Sequence, residues 1–165
     1  MRRNTSWSAA LAAALLLAGC ATDSGGDTQA AGARAAKTIS GPALARDGDT
    51  VEVDGRLFDL WGIDAPNLDN ADGWYARAAL DDLIGRNGTL ACTIKDTSGR
   101  RDEAVCTNSR AGDVGRAMLQ GGWAVVSRSD TARGGADSAL AAAYADAERA
   151  ARQKRAGLWA GMPRR

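Results

Sequence analysis

The feature that most limits what this chain can fold into lies at its start. Arg2 and Arg3 are followed by a short apolar run, Ala9 to Leu17, and then by Leu17-Ala18-Gly19-Cys20. The run falls short of the ~20 apolar residues a membrane span needs, and its three parts have the form of a secretory signal. Residues 1–19 are therefore expected to be removed and to contribute nothing to the fold. The next stretch, ATDSGGDTQAAGARAAK, completes a 20–37 segment that is small and polar and has no apolar period, which is the composition of a linker. Residues 38–160 remain for one domain, with 161–165 as a short tail. Export also fixes the redox setting. Beyond Cys20 the chain holds only Cys92 and Cys106, an even pair in an oxidising compartment. Linking them closes a loop of about 15 residues, for which chain entropy gives about 3 kcal/mol. The alternative is two buried thiols. Two thiols binding zinc is disfavoured, because the chain has no histidine to complete the set.

The tetrapeptide Leu17-Ala18-Gly19-Cys20 resembles the bacterial lipobox, in which the cysteine thiol is lipidated before cleavage. This implies a lipid on Cys20 and a domain held outside the cytoplasm at the cell envelope. Several acyl chains on one residue make a stable anchor where a single chain would not. Ala21, rather than an aspartate, follows the cysteine, which leans toward the outer membrane. Charge speaks to partners. Loss of Arg2 and Arg3 takes the net charge from +1 to −1, so the total carries no basic footprint of a nucleic-acid binder. A local basic group remains at Arg149, Arg152, Lys154 and Arg155. Nothing in the sequence names a protein partner.

From Thr38 the patterning turns regular. Val51 and Val53 alternate with Glu52 and Asp54, Asp54-Gly55 signals a hairpin, and Leu57 to Ile63 read as the return strand. Trp74, Ala78, Leu80 and Leu83 have helical spacing, ending at Gly85. Thr89–Lys95 and Glu103–Thr107 read as paired strands across a Thr97-Ser98-Gly99 turn, with Cys92 facing Cys106. A short helix is expected over Asp113–Gln120, stopped by Gly121-Gly122. A longer one runs over Ala136–Arg155 with Leu140, Tyr144, Ala147 and Ala151 on one face. Gly157 is expected to cap it, with Leu158 and Trp159 folding back onto the core.

Four phrases occur in order: Asp47-Gly48-Asp49-Thr50; Leu60-Trp61-Gly62-Ile63-Asp64-Ala65-Pro66; Gly121-Gly122-Trp123-Ala124; and Glu148, Ala151-Arg152, Gly157-Leu158-Trp159. Together they resemble the thermonuclease (staphylococcal-nuclease-like) family over about Thr38 to Ala160. The resemblance implies an OB-fold-type five-stranded β-barrel with three packed α-helices. It also implies calcium as the one cofactor. Active members hydrolyse phosphodiesters with calcium on two aspartates, a glutamate activating water, and two arginines holding the phosphate.

The match of those residues is partial. Asp49 and Asp64 fall on the calcium aspartates. The first arginine position is Asp59, and the glutamate position is Asn67. The second arginine is Arg100 when counted forward from Gly99 and Arg101 when counted back from Cys106, so both are carried. An aspartate at the phosphate position repels it by about 4 kcal/mol at ~4 Å and an effective dielectric of 20. Arg56, three residues before Asp59, is expected on the opposite strand face. An amide at Asn67 cannot serve as general base, and Asp69 would need a rearranged loop to replace it. Asp49, Asp59 and Asp64 together would make a more acidic pocket, still suited to a divalent cation. Asp47-Gly48-Asp49 and Asp64 equally suit structural turns. Trp61, Trp74, Trp123 and Trp159 are expected in the core rather than as base-stacking platforms.

Two functions follow. One is a lipid-anchored, catalytically degenerate domain that binds or scaffolds in the envelope. The other is a calcium-dependent extracytoplasmic nuclease. The anchoring expectation is tested directly: Cys20→Ser, or globomycin, should leave an uncleaved precursor or release the domain from the membrane fraction. A soluble mature protein beginning at another residue would contradict it.

Overall fold

The computed structural model describes residues 36–128 and 137–161. The expectations placed on the signal peptide, on Cys20, on residues 20–35, on Ala136 and on residues 162–165 lie outside them. The described chain runs β1 (Thr38–Ala45), β2 (Thr50–Val53), β3 (Arg56–Leu60), β4 (Ile63–Asp64), α1 (Ala71–Ile84), β5 (Thr89–Asp96), β6 (Asp102–Asn108). It continues through β7 (Gly112–Asp113), α2 (Val114–Gly121), β8 (Val125–Val126), α3 (Ser138–Lys154) and a 3-10 turn, Gly157–Gly161.

Five strands make the expected closed barrel. Their order is β3-β2-β1-β5-β6, with β7 a short extension, and β3 returns to pair with β6. All the barrel ladders are antiparallel except that closing one, which is parallel and sets Asp59 opposite Glu103. The alternation read from the sequence holds: Val51, Val53, Phe58 and Leu60 point inward and are buried, while Glu52 faces out. Leu90, Cys92, Ala104 and Cys106 fill the barrel from β5 and β6. Cys92 stands directly opposite Cys106 with Cα atoms 4.0 Å apart, and the two are joined in a disulfide.

The return strand is shorter than Leu57 to Ile63. It leaves the barrel after Leu60 because Gly62 takes φ +76°, a conformation that turns the chain outward. Ile63 and Asp64 then form β4, paired with β8 in a separate two-stranded ladder, and Gly62 O accepts from Ser127 N–H at 3.0 Å.

Helix α1 begins at an Asn70 cap that accepts from Gly73 N–H, and it ends at Gly85 as expected. Its buried face is Gly73, Ala76, Leu80 and Ile84, so the expected face is rotated. Trp74 is 56 % exposed and Ala78 is exposed as well; Trp74 is thus not a core residue. Trp61 is buried, and Trp123 and Trp159 are half-buried. The C-cap of α3 is Arg155, in the left-handed region, not Gly157. Gly157 has a different task. A Cβ on it would lie 2.5 Å from Gly121 O, and one on Gly122 would lie 2.2 Å from Ala156 O. The two backbones pack directly, and Leu158 N–H donates to Gly122 O at 2.9 Å.

Helices α2 and α3 are locked by one polar contact. The buried Tyr144 hydroxyl is shared between both Asp113 carboxylate oxygens at 2.9 and 2.8 Å, while Asp113 caps α2 by accepting from Arg116 N–H. Burial and the Asp113 carboxylate hold the phenol well above its usual range, so it remains a donor at any physiological pH. Tyr144→Phe should cost about 1.5–3 kcal/mol, the range for a hydrogen bond to a charged group. A Cβ on Gly115 would sit 3.0 Å from the same hydroxyl. Gly115→Ala should therefore be less costly when combined with Tyr144→Phe than alone, as a thermal-denaturation double-mutant cycle would read.

Candidate functional site

Two loops meet to build the site. The β1–β2 connection folds back on itself, with Arg46 and Asp47 N–H donating to Thr50 O and Asp47 Oδ1 accepting from Gly48 N–H. Gly48 is buried against Ala65 and Ala76: a Cβ there would lie 2.7 and 2.8 Å from their methyls. This presses the loop onto the segment following β4. Asp49 then accepts from Ala65 N–H at 2.9 Å, and its own carbonyl takes Leu60 N–H at 2.7 Å. The Asp47–Thr50 phrase and the Gly62–Pro66 phrase are thus joined by hydrogen bonds through Asp49.

Beside this junction lies a cleft of about 340 Å³ lined by Asp49, Asp59, Leu60, Ile63, Asp64, Glu103 and Ser127. The structure does bring Asp49, Asp59 and Asp64 to one place. It does not bring Asn67 or Asp69, which are exposed and outside the lining, and Asp69 accepts from Asn70. Asp81 is engaged with Ala45 N–H at the β1 edge. Glu103 is a cleft residue that no sequence motif marks; it is the second residue of β6 and stands opposite Asp59 across the ladder that closes the barrel.

The fate of the arginines is the most informative feature. Arg101, not Arg100, reaches Asp59 at the edge of the cleft: its Nε donates to Asp59 Oδ1 at 2.7 Å. Asp59 Oδ1 also accepts from Thr50 Oγ1 at 3.0 Å. Where the resemblance implies two arginines gripping a phosphate, this chain has one arginine paired with an aspartate of its own. Arg100 is exposed in the β5–β6 turn. Arg56 binds Asp102 at 2.9 Å with its guanidinium 5.4 Å from the centre of the Phe58 ring, on the strand face opposite Asp59. The Arg101–Asp59 side chains are about one-third exposed, so their pairing contributes at most about 1 kcal/mol. Its consequence is chemical rather than energetic.

Does the cleft suit calcium? A hard divalent cation takes six to eight oxygens around one point. Among the described residues no three Asp or Glu side chains converge in that way. Asp49 Oδ2 accepts from Ala65 N–H, the single Thr50 hydroxyl proton is shared between Asp49 Oδ1 and Asp59 Oδ1, and Asp59 also accepts from Arg101. Asp49 and Asp64 are the two cleft carboxylates that would hold a cation there, and no chemical step is derived through one.

A closed five-stranded barrel whose Asp-Gly-Asp-Thr loop and Ile-Asp-Ala-Pro loop meet at an acidic cleft defines an OB-type, nuclease-like domain. The family model described as Staphylococcal nuclease homologue matches residues 57–161, and the chain belongs to that family. It is also similar to the succinoglycan biosynthesis protein ExoI of Rhizobium meliloti (strain 1021), 29% identical over 143 residues covering 79% of this chain and 70% of that protein.

Burial, followed by the neighbouring Asp47 and Asp64 carboxylates, raises the Asp49 pKa, against the lowering effect of the Ala65 and Thr50 hydrogen bonds. A raised acid binds its proton more readily folded than unfolded. Its contribution to stability is therefore present at low pH, is lost as pH rises from the unfolded pKa to the folded one, and stays lost above it. Asp49→Asn keeps an oxygen for Ala65 N–H and removes the charge. With chelator present, its melting temperature should gain on the wild type as pH rises through the carboxylate range. A flat or falling difference would contradict the burial of this charge.

Proposed function

We propose that this chain is a membrane-anchored, catalytically degenerate member of its family, acting as a binding or structural module of the cell envelope. The observation that carries this reading is the Arg101–Asp59 ion pair. An incoming phosphate would approach an arginine whose charge a carboxylate already offsets, and would then meet Asp49, Asp64 and Glu103 along the same cleft. The second support is Asn67, which carries no basic group and lies outside the cleft. The lipobox-like Leu17-Ala18-Gly19-Cys20 supports placement at the envelope through a lipid on Cys20. Among the described residues no helix is long and apolar enough to cross a membrane. A relative named for succinoglycan biosynthesis, rather than for cleavage of nucleic acid, is in keeping with a role away from phosphodiester hydrolysis.

The competing reading, a calcium-dependent nuclease of extracytoplasmic DNA or RNA, makes a different demand. It requires cleavage of single-stranded DNA by the unaltered protein with calcium, lost with chelator and in Asp49→Ala. We expect little such cleavage. Asp59→Arg combined with Asn67→Glu should raise activity above the starting protein, with the longer glutamate reaching toward the cleft that Asn67 stands outside; a general base contributes typically 10²–10⁴-fold. Either change alone should not, because a gripped phosphate without an activated water is unreactive, and an activated water needs a positioned phosphate. Robust calcium-dependent cleavage by the unaltered protein overturns the proposal.

A further inference from the structure

Helix α1 carries two apolar stripes. One, Gly73, Ala76, Leu80 and Ile84, is buried against the barrel. The other, Ala71, Trp74, Tyr75 and Ala78, is exposed and has the i, i+3, i+4, i+7 spacing of a single helix face. Trp74 and Tyr75 are 56 % and 61 % accessible and rank, with Leu44, as the most exposed large hydrophobic side chains among the described residues. We infer that this stripe is a docking face for the membrane surface, seating Trp74 and Tyr75 in the lipid interface. The inference rests on the proposed lipid anchor at Cys20.

Size, charge and reach select this occupant. The stripe is two helical turns long, about 11 Å, and a stable dimer buries about 800 Å² on each partner. A second copy held by this face alone is therefore disfavoured. Single-stranded nucleic acid wants aromatic platforms inside a basic groove. Here Asp72 and Asp82 flank the stripe, and Arg77 stacks over Trp74 at 5.9 Å while its Nε donates to Ala45 O. A lipid interface asks only for amphipathic rings with apolar neighbours, and Trp and Tyr are the side chains that settle there.

Reach is sufficient as well. The Arg77–Ala45 bond places the Trp74 end of α1 at the end of β1 opposite Thr38. That strand of eight residues is roughly 23 Å long at 3.3–3.4 Å per residue. The 17 residues from Ala21 to Lys37 span at most about 60 Å. A domain tethered by them can therefore turn the far end of β1 down onto the bilayer. Tethering also makes the second contact intramolecular, so a face too small to bind alone becomes sufficient.

The test uses the mature, full-length protein reconstituted in phosphatidylcholine vesicles with plain or brominated acyl chains. The emission that disappears in Trp74→Phe isolates Trp74 from the other tryptophans. We expect brominated chains to quench that component and expect the quenching to persist at high salt, since phosphatidylcholine has no net charge for Arg77, Asp72 or Asp82 to be drawn to. Tyr75→Ser with Ala78→Ser should abolish it while leaving the fold unchanged, as both positions are exposed. Equal Trp74 emission with and without bromine, in protein that floats with the vesicles and carries lipid on Cys20, overturns the docking and leaves the anchor standing. Quenching that vanishes at high salt also overturns it. Protein without lipid on Cys20 that fails to float overturns both.

Discussion

The parallel pairing of β3 with β6 is the contact on which the molecule depends. It closes five strands into a barrel, removes the two free edges an open sheet would expose, and does so through three register pairs, Phe58–Asp102, Asp59–Glu103 and Leu60–Ala104. Closure brings together residues more than forty positions apart. Inside, it seals Phe58 and Leu60 against Ala104 and Cys106. Outside, it delivers Arg101 to Asp59 and Glu103 to the cleft. The Cys92–Cys106 disulfide ties β5 to β6 in the same barrel wall. The interior and the site are thus two faces of one seam.

Much of this fold was legible because the signals were local. The Val51–Val53 alternation, the Asp54-Gly55 turn, the facing cysteines and the Asp113 and Gly122 helix ends all appear where patterning placed them. The misreadings also have physical reasons. Trp74 and Ala78 belong to a second apolar stripe, and spacing alone cannot tell which of two stripes a barrel will cover. The break after Leu60 depends on a left-handed Gly62 inside an otherwise apolar run. Arg155, a non-glycine residue, takes the left-handed cap, and Gly157, two residues on, is left-handed too and packs against Gly121 and Gly122. At the site, Asp49, Asp59 and Asp64 are visible in the sequence as candidates, and so is the choice between Arg100 and Arg101. That Arg101 pairs with Asp59 is not, since the contact crosses 42 positions and depends on barrel closure.

The motifs that carry the family likeness also carry structure. Glu148 accepts from Val126 N–H at 3.2 Å and pairs with Arg152 at 2.9 Å, and Arg152 in turn stacks on Trp159 at 4.4 Å. The glycines of the third phrase touch that of the fourth backbone to backbone. Asp49, a metal ligand by resemblance, serves here as the acceptor that joins two loops. These phrases therefore have a packing and hydrogen-bonding role of their own, whatever chemistry the cleft supports.

The Asp59–Arg101 pair couples two positions that lie 42 residues apart in the chain. While the two side chains neutralise one another, each also fixes what the other position can tolerate. An arginine at position 59 would set two guanidinium groups side by side with no anion between them. An aspartate at position 101 would do the converse, adding a negative charge beside Asp59, which lines the cleft with Asp49 and Asp64. Neither position can change sign alone without leaving like charges in contact, whereas exchanging the two together would keep the pair.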